Sequence, residues 1–295
     1  MSNQSHVAIL GVGKMGAAMA KELVAAGHTV HLWNRSRNVA DELAAVLPQG
    51  STHSHNTAHD ALALADFAIC LFTDGHVTQS VLLDDPQTLA GVKSNLIVID
   101  MGTSGVESAK ALDQALALKT IAFVDAPVSG SVATIAAHQL LVMASGKESD
   151  IKKVEPIFAA FAKKTAFLGV AGAGQAMKLA VNLIVHSLNA AVSEGLALAT
   201  ANGIQASAAY DVLEESVIAA PFVKYKRASF LDPAAPVAMR IDTVLKDMGL
   251  ILGLGQASDT SLMAATGVRE LYAHAQSAGF DAQDMAALFR YIHKS

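Results

Sequence analysis

Val7-Ala-Ile-Leu10 runs directly into Gly11-Val-Gly-Lys-Met-Gly16, and residues 15–26 then read as a helix. The G-x-G-x-x-G spacing carries little by itself; a strand before it and a helix after it give it meaning. Gly11 permits the tight turn, Gly13 lets an anion approach the backbone, and Gly16 lets the helix pack close against the strand. Free N–H groups and the dipole at the helix start face that anion. Gly11, Val12, Gly13, Lys14, Met15 and Gly16 are therefore the candidate cradle for a dinucleotide pyrophosphate.

Outward from this turn, short apolar runs keep alternating with helical patterns. Residues 29–33, 67–72, 96–100, 121–125, 140–144 and 165–168 read as strands, with 39–46 and 106–118 as helices between them. Such alternation implies a parallel sheet covered on both faces. From Gly174 the strand signals stop. Segments 175–202, 206–215, 237–254, 261–278 and 281–293 are apolar at helical spacing, and Pro221, Pro233 and Pro236 confine the loops between them. The expected architecture is an α/β Rossmann-type N-terminal domain, residues 1–168, followed by an all-α C-terminal domain, residues 169–295.

Composition excludes several function classes. Of 295 residues, 52% are hydrophobic and 16% charged, which excludes a disordered chain. With 21 basic against 26 acidic residues, the net charge of −5 gives no electrostatic reason to expect nucleic acid or an anionic membrane as partner. The apolar run 179–201 is interrupted by Asn182, His186, Asn189 and Glu194, so no spanning helix is expected. Residues 1–6 lack the basic region of a signal peptide. The lone cysteine, Cys70, lies in an apolar run and fits a reducing compartment. A cytoplasmic protein is expected, with its apolar excess buried in a domain or a subunit interface.

The end of the second strand reads the dinucleotide. An acidic residue there would accept from the ribose 2′-OH of NAD. This chain has Asn34-Arg35-Ser36 instead. The Arg35 guanidinium pairs with a 2′-phosphate and Ser36 adds a donor, so NADP(H) is the expected cofactor. Arg37 has two readings, a second phosphate contact or a solvated surface arginine.

Further along, Lys178 and Asn182 stand four apart, on one face of a helix. A lysine there can hydrogen-bond a substrate hydroxyl and exchange a proton with it while hydride passes to or from a nicotinamide. Spacing alone favours an ordinary snorkelling lysine. Ser129 and Gly130 supply a hydroxyl and a backbone N–H suited to a substrate carboxylate, and Ser131 a further N–H. His53, His55 and His59 are spaced too loosely for a metal cage and read as histidines of a solvated loop; no metal is expected. Met239, Met248 and Met263 read as fillers of core or interface gaps.

The whole chain resembles the β-hydroxyacid dehydrogenase family. The resemblance rests on the Gly11–Gly16 turn, Asp125-Ala-Pro-Val-Ser-Gly130, Gly172-Ala-Gly-Gln-Ala-Met-Lys178 with Asn182, and Lys246-Asp247, in the family's order. It implies an NADPH-dependent reductase of a small aldehyde or keto acid, reversible as a dehydrogenase. It assigns catalysis to Lys178 and Asn182, and cofactor contacts to Phe72, Thr73, Thr103 and Lys246. The apolar, all-helical second domain suggests a homodimer or homotetramer joined through it. Thr73 replaces the family's proline, and Ser131, Thr134-Ile135, His138-Gln139 and Val181 depart from its usual residues. These departures permit a bulkier or less polar carbonyl. Two alternatives remain: an imine reductase, a class that typically lacks the lysine, and a non-catalytic dinucleotide-binding scaffold.

Overall fold

The computed structural model describes residues 4–294. The chain forms two compact units, one up to Lys178 and one from Leu179. The division thus falls later than the expected boundary after residue 168, inside a helix.

The first unit contains β1 (His6–Leu10), α1 (Lys14–Ala25), β2 (Thr29–Trp33), α2 (Arg37–Val46), β3 (Thr52–Ser54), α3 (Ala58–Leu62), β4 (Phe67–Cys70) and α4 (Gly75–Gln79). There follow β5 (Ile97–Asp100), α5 (Val106–Ala117), β6 (Ala122–Asp125), β7 (Val128–Ser129), α6 (Val132–Ala136), β8 (Leu140–Gly146), α7 (Glu148–Phe158) and β9 (Ala162–Phe167). The sheet order is β3-β2-β1-β4-β5-β6-β8-β7, with β9 beside β8. The pairs from β3 to β6 are parallel, and β8 runs antiparallel to β6. Successive side chains alternate between two cores. Val7, Ile9, Val30, Ile69 and Ile99 pack with Met19 and Leu23 of α1, whereas Ala8, Leu10, Cys70 and Val98 pack with Leu62, Leu112 and Leu116. Strands buried on both faces explain the uninterrupted apolar runs. Parallel register brings Gly11, Asn34, Leu71 and Met101, each following its strand, to one edge of the sheet.

Several elements depart from the sequence expectation. The polar stretch 52–55 is not a solvated loop. Its first three residues form edge strand β3, which sets His53 opposite His31 of β2. The buried His31 ring takes His6 Nδ1 at 2.9 Å on Nε2 and His55 Nε2 at 3.0 Å on Nδ1, and it stacks on His53. His59 lies on α3. The short elements α3, α4, α6, β7 and the longer α7 also escaped the periodicity reading.

The second unit begins within α8 (Ala173–Ala201), which starts in the first. It continues with α9 (Ala206–Glu215), α10 (Pro221–Leu231), α11 (Ile241–Ala257), α12 (Met263–Ala275) and α13 (Leu288–Lys294). By length and composition α8 suffices to cross a bilayer, yet its buried positions include Asn182, His186, Asn189 and Ser193. Leu179, Leu196, Tyr210, Val223, Phe230, Val244, Met248 and Tyr272 form the core. Pro221 does not confine a loop; it opens α10, where a missing N–H costs nothing. Helix α11 starts at Ile241, not at residue 237, because the Ala238 and Met239 amides donate to Asp284 Oδ2. Asp284 also holds the buried Lys226 ammonium at 2.6 Å. Met248 is in the core and Met239 packs against it, but Met263 is exposed.

Burial, with His55, His6, His53 and Lys93 nearby, pushes the His31 pKa down from 6.5 to about 4. Above pH 6.5 both folded and unfolded chains hold this ring neutral. Below it the unfolded chain gains a proton that the folded one refuses, so stability falls until about pH 4. Denaturant unfolding at stepped pH should show that decline, with a shallower slope in His31→Gln. An equal slope in both proteins would remove His31 as its source.

Candidate active site

The glycines of the phosphate turn have steric causes. Gly11 has φ +98°, and a Cβ there would overlap the Leu71 carbonyl oxygen; one at Gly16 would overlap the Gly11 oxygen. Around a Cβ at Gly13 nothing lies within 4 Å, which leaves that side of the turn open to a phosphate. Asn34 braces the turn: its Oδ1 accepts from Val12 N at 3.1 Å and its Nδ2 donates to Ser36 O at 3.1 Å. The Val12 amide is thus taken by Asn34 and not free to donate to a phosphate. Arg35 and Ser36 are exposed just past β2. Arg37 pairs with Asp41 at 3.2 Å, whereas Arg35 makes no ion pair among the described residues. Phe72 lies edge-on to Trp33 after β4, and Thr73 donates to Asp74, which caps α4. These groups fit a nicotinamide dinucleotide.

At the ends of β5 and β6 lies a polar cluster whose bonds the motifs did not foretell. Asp125 ends β6 fully buried, where burial raises its pKa; donors from Ser145, Gln175 and Gly172 oppose that rise. Its Oδ2 accepts from Ser145 Oγ at 2.8 Å, Gly172 N at 3.2 Å and Gln175 N at 3.1 Å. Its Oδ1 accepts from Gln175 Nε2 at 3.0 Å. The same Nε2 donates to Gly102 O, while Gln175 Oε1 accepts from the Ser104 and Gly105 amides at 3.0 and 3.1 Å. These four side-chain bonds use the full capacity of the amide. Asp100 completes the Thr103 loop by accepting from Gly102 N and Ser104 Oγ. Gly174 is required, since a Cβ there would stand 2.5 Å from Met143 O. Gln175 therefore ties the loop after β5 and the end of β6 to the start of α8, one turn before the partly exposed Lys178. An aspartate ending each of two apolar strands was the available signal.

The loop after β7 also differs from expectation. Ser129 is half-buried and Gly130, at φ +146°, is exposed. The Ser131 amide donates to Thr134 Oγ1 at 2.7 Å, so the N–H expected to face substrate is already engaged.

In the second unit, Asn182 Nδ2 donates to Asp247 Oδ2 at 2.8 Å. Asp247 also lies 2.7 Å from Lys246 Nζ and 3.5 Å from His186 Nε2. Burial alone would raise the Asp247 pKa, but His186 and the Lys246 charge hold it below the usual carboxylate range. Lys246 thus points its ammonium at Asp247.

Residues 6–170 match the family model of the NAD binding domain of 6-phosphogluconate dehydrogenase. Residues 172–292 match that of the NAD-binding of NADP-dependent 3-hydroxyisobutyrate dehydrogenase. Glyoxylate/succinic semialdehyde reductase 1 of Arabidopsis thaliana is 31% identical over 97% of this chain and 98% of its own length. Mycobacterium tuberculosis 3-hydroxyisobutyrate dehydrogenase, solved with L-serine, is 26% identical with a TM-score of 0.83, over 98% of this chain and 99% of that one. An imine reductase from Pseudomonas shares the fold at 22% identity and a TM-score of 0.67, over 99% and 100% of the two chains.

Gln175→Ala would leave buried amides and carbonyls without partners, at about 1–3 kcal/mol per orphaned group. A loss of about 2–4 kcal/mol in denaturant unfolding is expected, part of it recovered by water entering the space. A loss below about 0.5 kcal/mol, as for an ordinary surface change, would show that the cluster is not structurally required.

Proposed function

Because the chain belongs to the β-hydroxyacid dehydrogenase family, whose members are NAD(P)-dependent oxidoreductases of hydroxyacids, we propose that it reduces a small aldehyde or keto acid to the hydroxyacid with NADPH, reversibly. The observation that carries this reading is Lys178, one turn beyond the Gln175 clamp on α8. In reduction the ammonium gives its proton to the carbonyl oxygen; in oxidation the neutral amine takes the hydroxyl proton. Asn182, tied to Asp247, orients the reacting groups on the same helix. The Ser129 hydroxyl and the Gly130 amide receive a substrate carboxylate. A bound dinucleotide, held by the α1 amides, Arg35 and Ser36, supplies the hydride.

Arg35, where an acidic residue would select NAD, supports NADP(H). The plant relative is named for glyoxylate and succinic semialdehyde, and the mycobacterial one was solved with L-serine, a small molecule bearing a carboxylate and a hydroxyl. Lys178 favours a carbonyl over an imine substrate and argues against a non-catalytic scaffold. Buried Cys70 suits the reducing cytoplasm, and we place assembly as a homodimer or homotetramer on the helical unit.

Initial rates with both cofactors test the selector. Arg35→Asp should lower kcat/KM for NADPH by about tenfold to a hundredfold, as loss of a charge-assisted hydrogen bond implies. Equal use of NADH and NADPH by the wild type would contradict the assignment. Lys178→Ala should leave NADPH affinity unchanged and lower kcat by about 10²–10⁴. Lys178→Arg should not restore it, because a guanidinium does not release its proton near neutrality. Wild-type turnover in Lys178→Ala would make the lysine a bystander.

A further inference from the structure

Thr134 faces the loop proposed to hold the substrate carboxylate, and its hydroxyl both accepts and donates there. Its Oγ1 accepts from the Ser131 amide at 2.7 Å and donates to the Ser131 carbonyl oxygen at 2.8 Å. The backbone locks it in place: Ile135 N donates to Ser131 O and Gln139 N to Thr134 O at 2.7 Å. A Cβ on Gly130 would overlap this same hydroxyl, so the hydroxyl packs against the Gly130 backbone. His138, at φ +53°, ends the segment and bonds Glu22 of α1 at 2.9 Å, which anchors the loop from its far side.

We propose that the Thr134 hydroxyl is a specificity-determining group: by engaging the Ser131 amide it leaves a substrate carboxylate two donors, the Ser129 hydroxyl and the Gly130 amide. This rests on the reading of residues 129–130 as the carboxylate cradle. An N–H to carboxylate bond is charge-assisted and about twice as strong as a neutral one. A compact acid whose carboxylate adjoins its carbonyl depends on that handle for most of its binding. A semialdehyde with methylenes between the two groups adds apolar burial, and each methylene offsets part of the missing donor. The site therefore favours the semialdehyde over the compact 2-oxo acid.

The test compares wild type, Thr134→Ala, Thr134→Ser and Thr134→Val, all checked for cooperative thermal unfolding. The carbonyl probes are glyoxylate, succinic semialdehyde and butanal, the last having the same four-carbon chain without a carboxylate. Thr134→Ala frees the amide and should lower KM for glyoxylate by about tenfold, with a smaller gain for succinic semialdehyde and none for butanal. Thr134→Ser keeps the hydroxyl and should match wild type; Thr134→Val keeps the amide covered by a methyl and should show no gain. An unchanged glyoxylate KM in Thr134→Ala, an equal gain for butanal, or the same gain in Thr134→Val would overturn the proposal. A measurement on the unaltered protein stands beside these: saturating glycolate with NADP should shift the Gly130 amide resonance and leave that of Ser131 in place. Equal shifts at both would contradict the proposal. Ser129→Ala tests the underlying cradle, and should raise KM for glyoxylate but not for butanal. No rise for either substrate would remove the cradle, and the role of Thr134 with it.

Discussion

A carboxylate buried at the end of a strand is costly unless donors surround it, and the Asp125 site is built to supply them. Ser145 reaches it from β8, Gly172 and Gln175 offer amides from the start of α8, and the Gln175 side chain adds another donor. Because Gln175 at the same time holds the Gly102 carbonyl and the Ser104 and Gly105 amides, four separate backbone segments share one set of bonds. Displacing any of them would orphan groups in the interior. Lys178 inherits its place from this arrangement, since a helix whose first turn is fixed carries its next turn with it.

The parallel sheet was legible because its strands are buried on both faces and so read as unbroken apolar runs. Gly11, Gly13 and Gly16 were legible because sterics at each position leave little alternative to glycine or leave the space for a ligand. Edge strand β3 was not: Thr52, His53 and Ser54 have neither the hydrophobicity nor the length of a core strand, and pairing with β2 alone makes them one. Helix α10 hid behind Pro221, which punctuates a loop and opens a helix equally well. Residues 237–240 looked helical by periodicity, but Asp284, distant in sequence, takes the amides of Ala238 and Met239.

Within the candidate site the same division holds. Residues proposed to face a ligand, such as Lys178, Ser129 and Arg35, lie in motifs that the sequence and its family resemblance reveal. Residues that act on other residues do not, because their partners are remote: Gln175 lies 50 positions from Asp125 and Asn182 lies 65 from Asp247. The engagement of the Val12 and Ser131 amides was likewise invisible, as each depends on which side chain, Asn34 or Thr134, turns back onto the loop. An available backbone donor is a property of the fold and not of the residue that carries it.

The central claim is that the clamp delivers Lys178 to the reacting oxygen. A crystal structure of the ternary complex with NADP and glycolate tests it most directly. The account predicts Lys178 Nζ within about 3 Å of the glycolate hydroxyl oxygen, with the Gln175 to Asp125 bond intact. A hydroxyl bonded to another proton donor, with Lys178 turned to solvent, would contradict it.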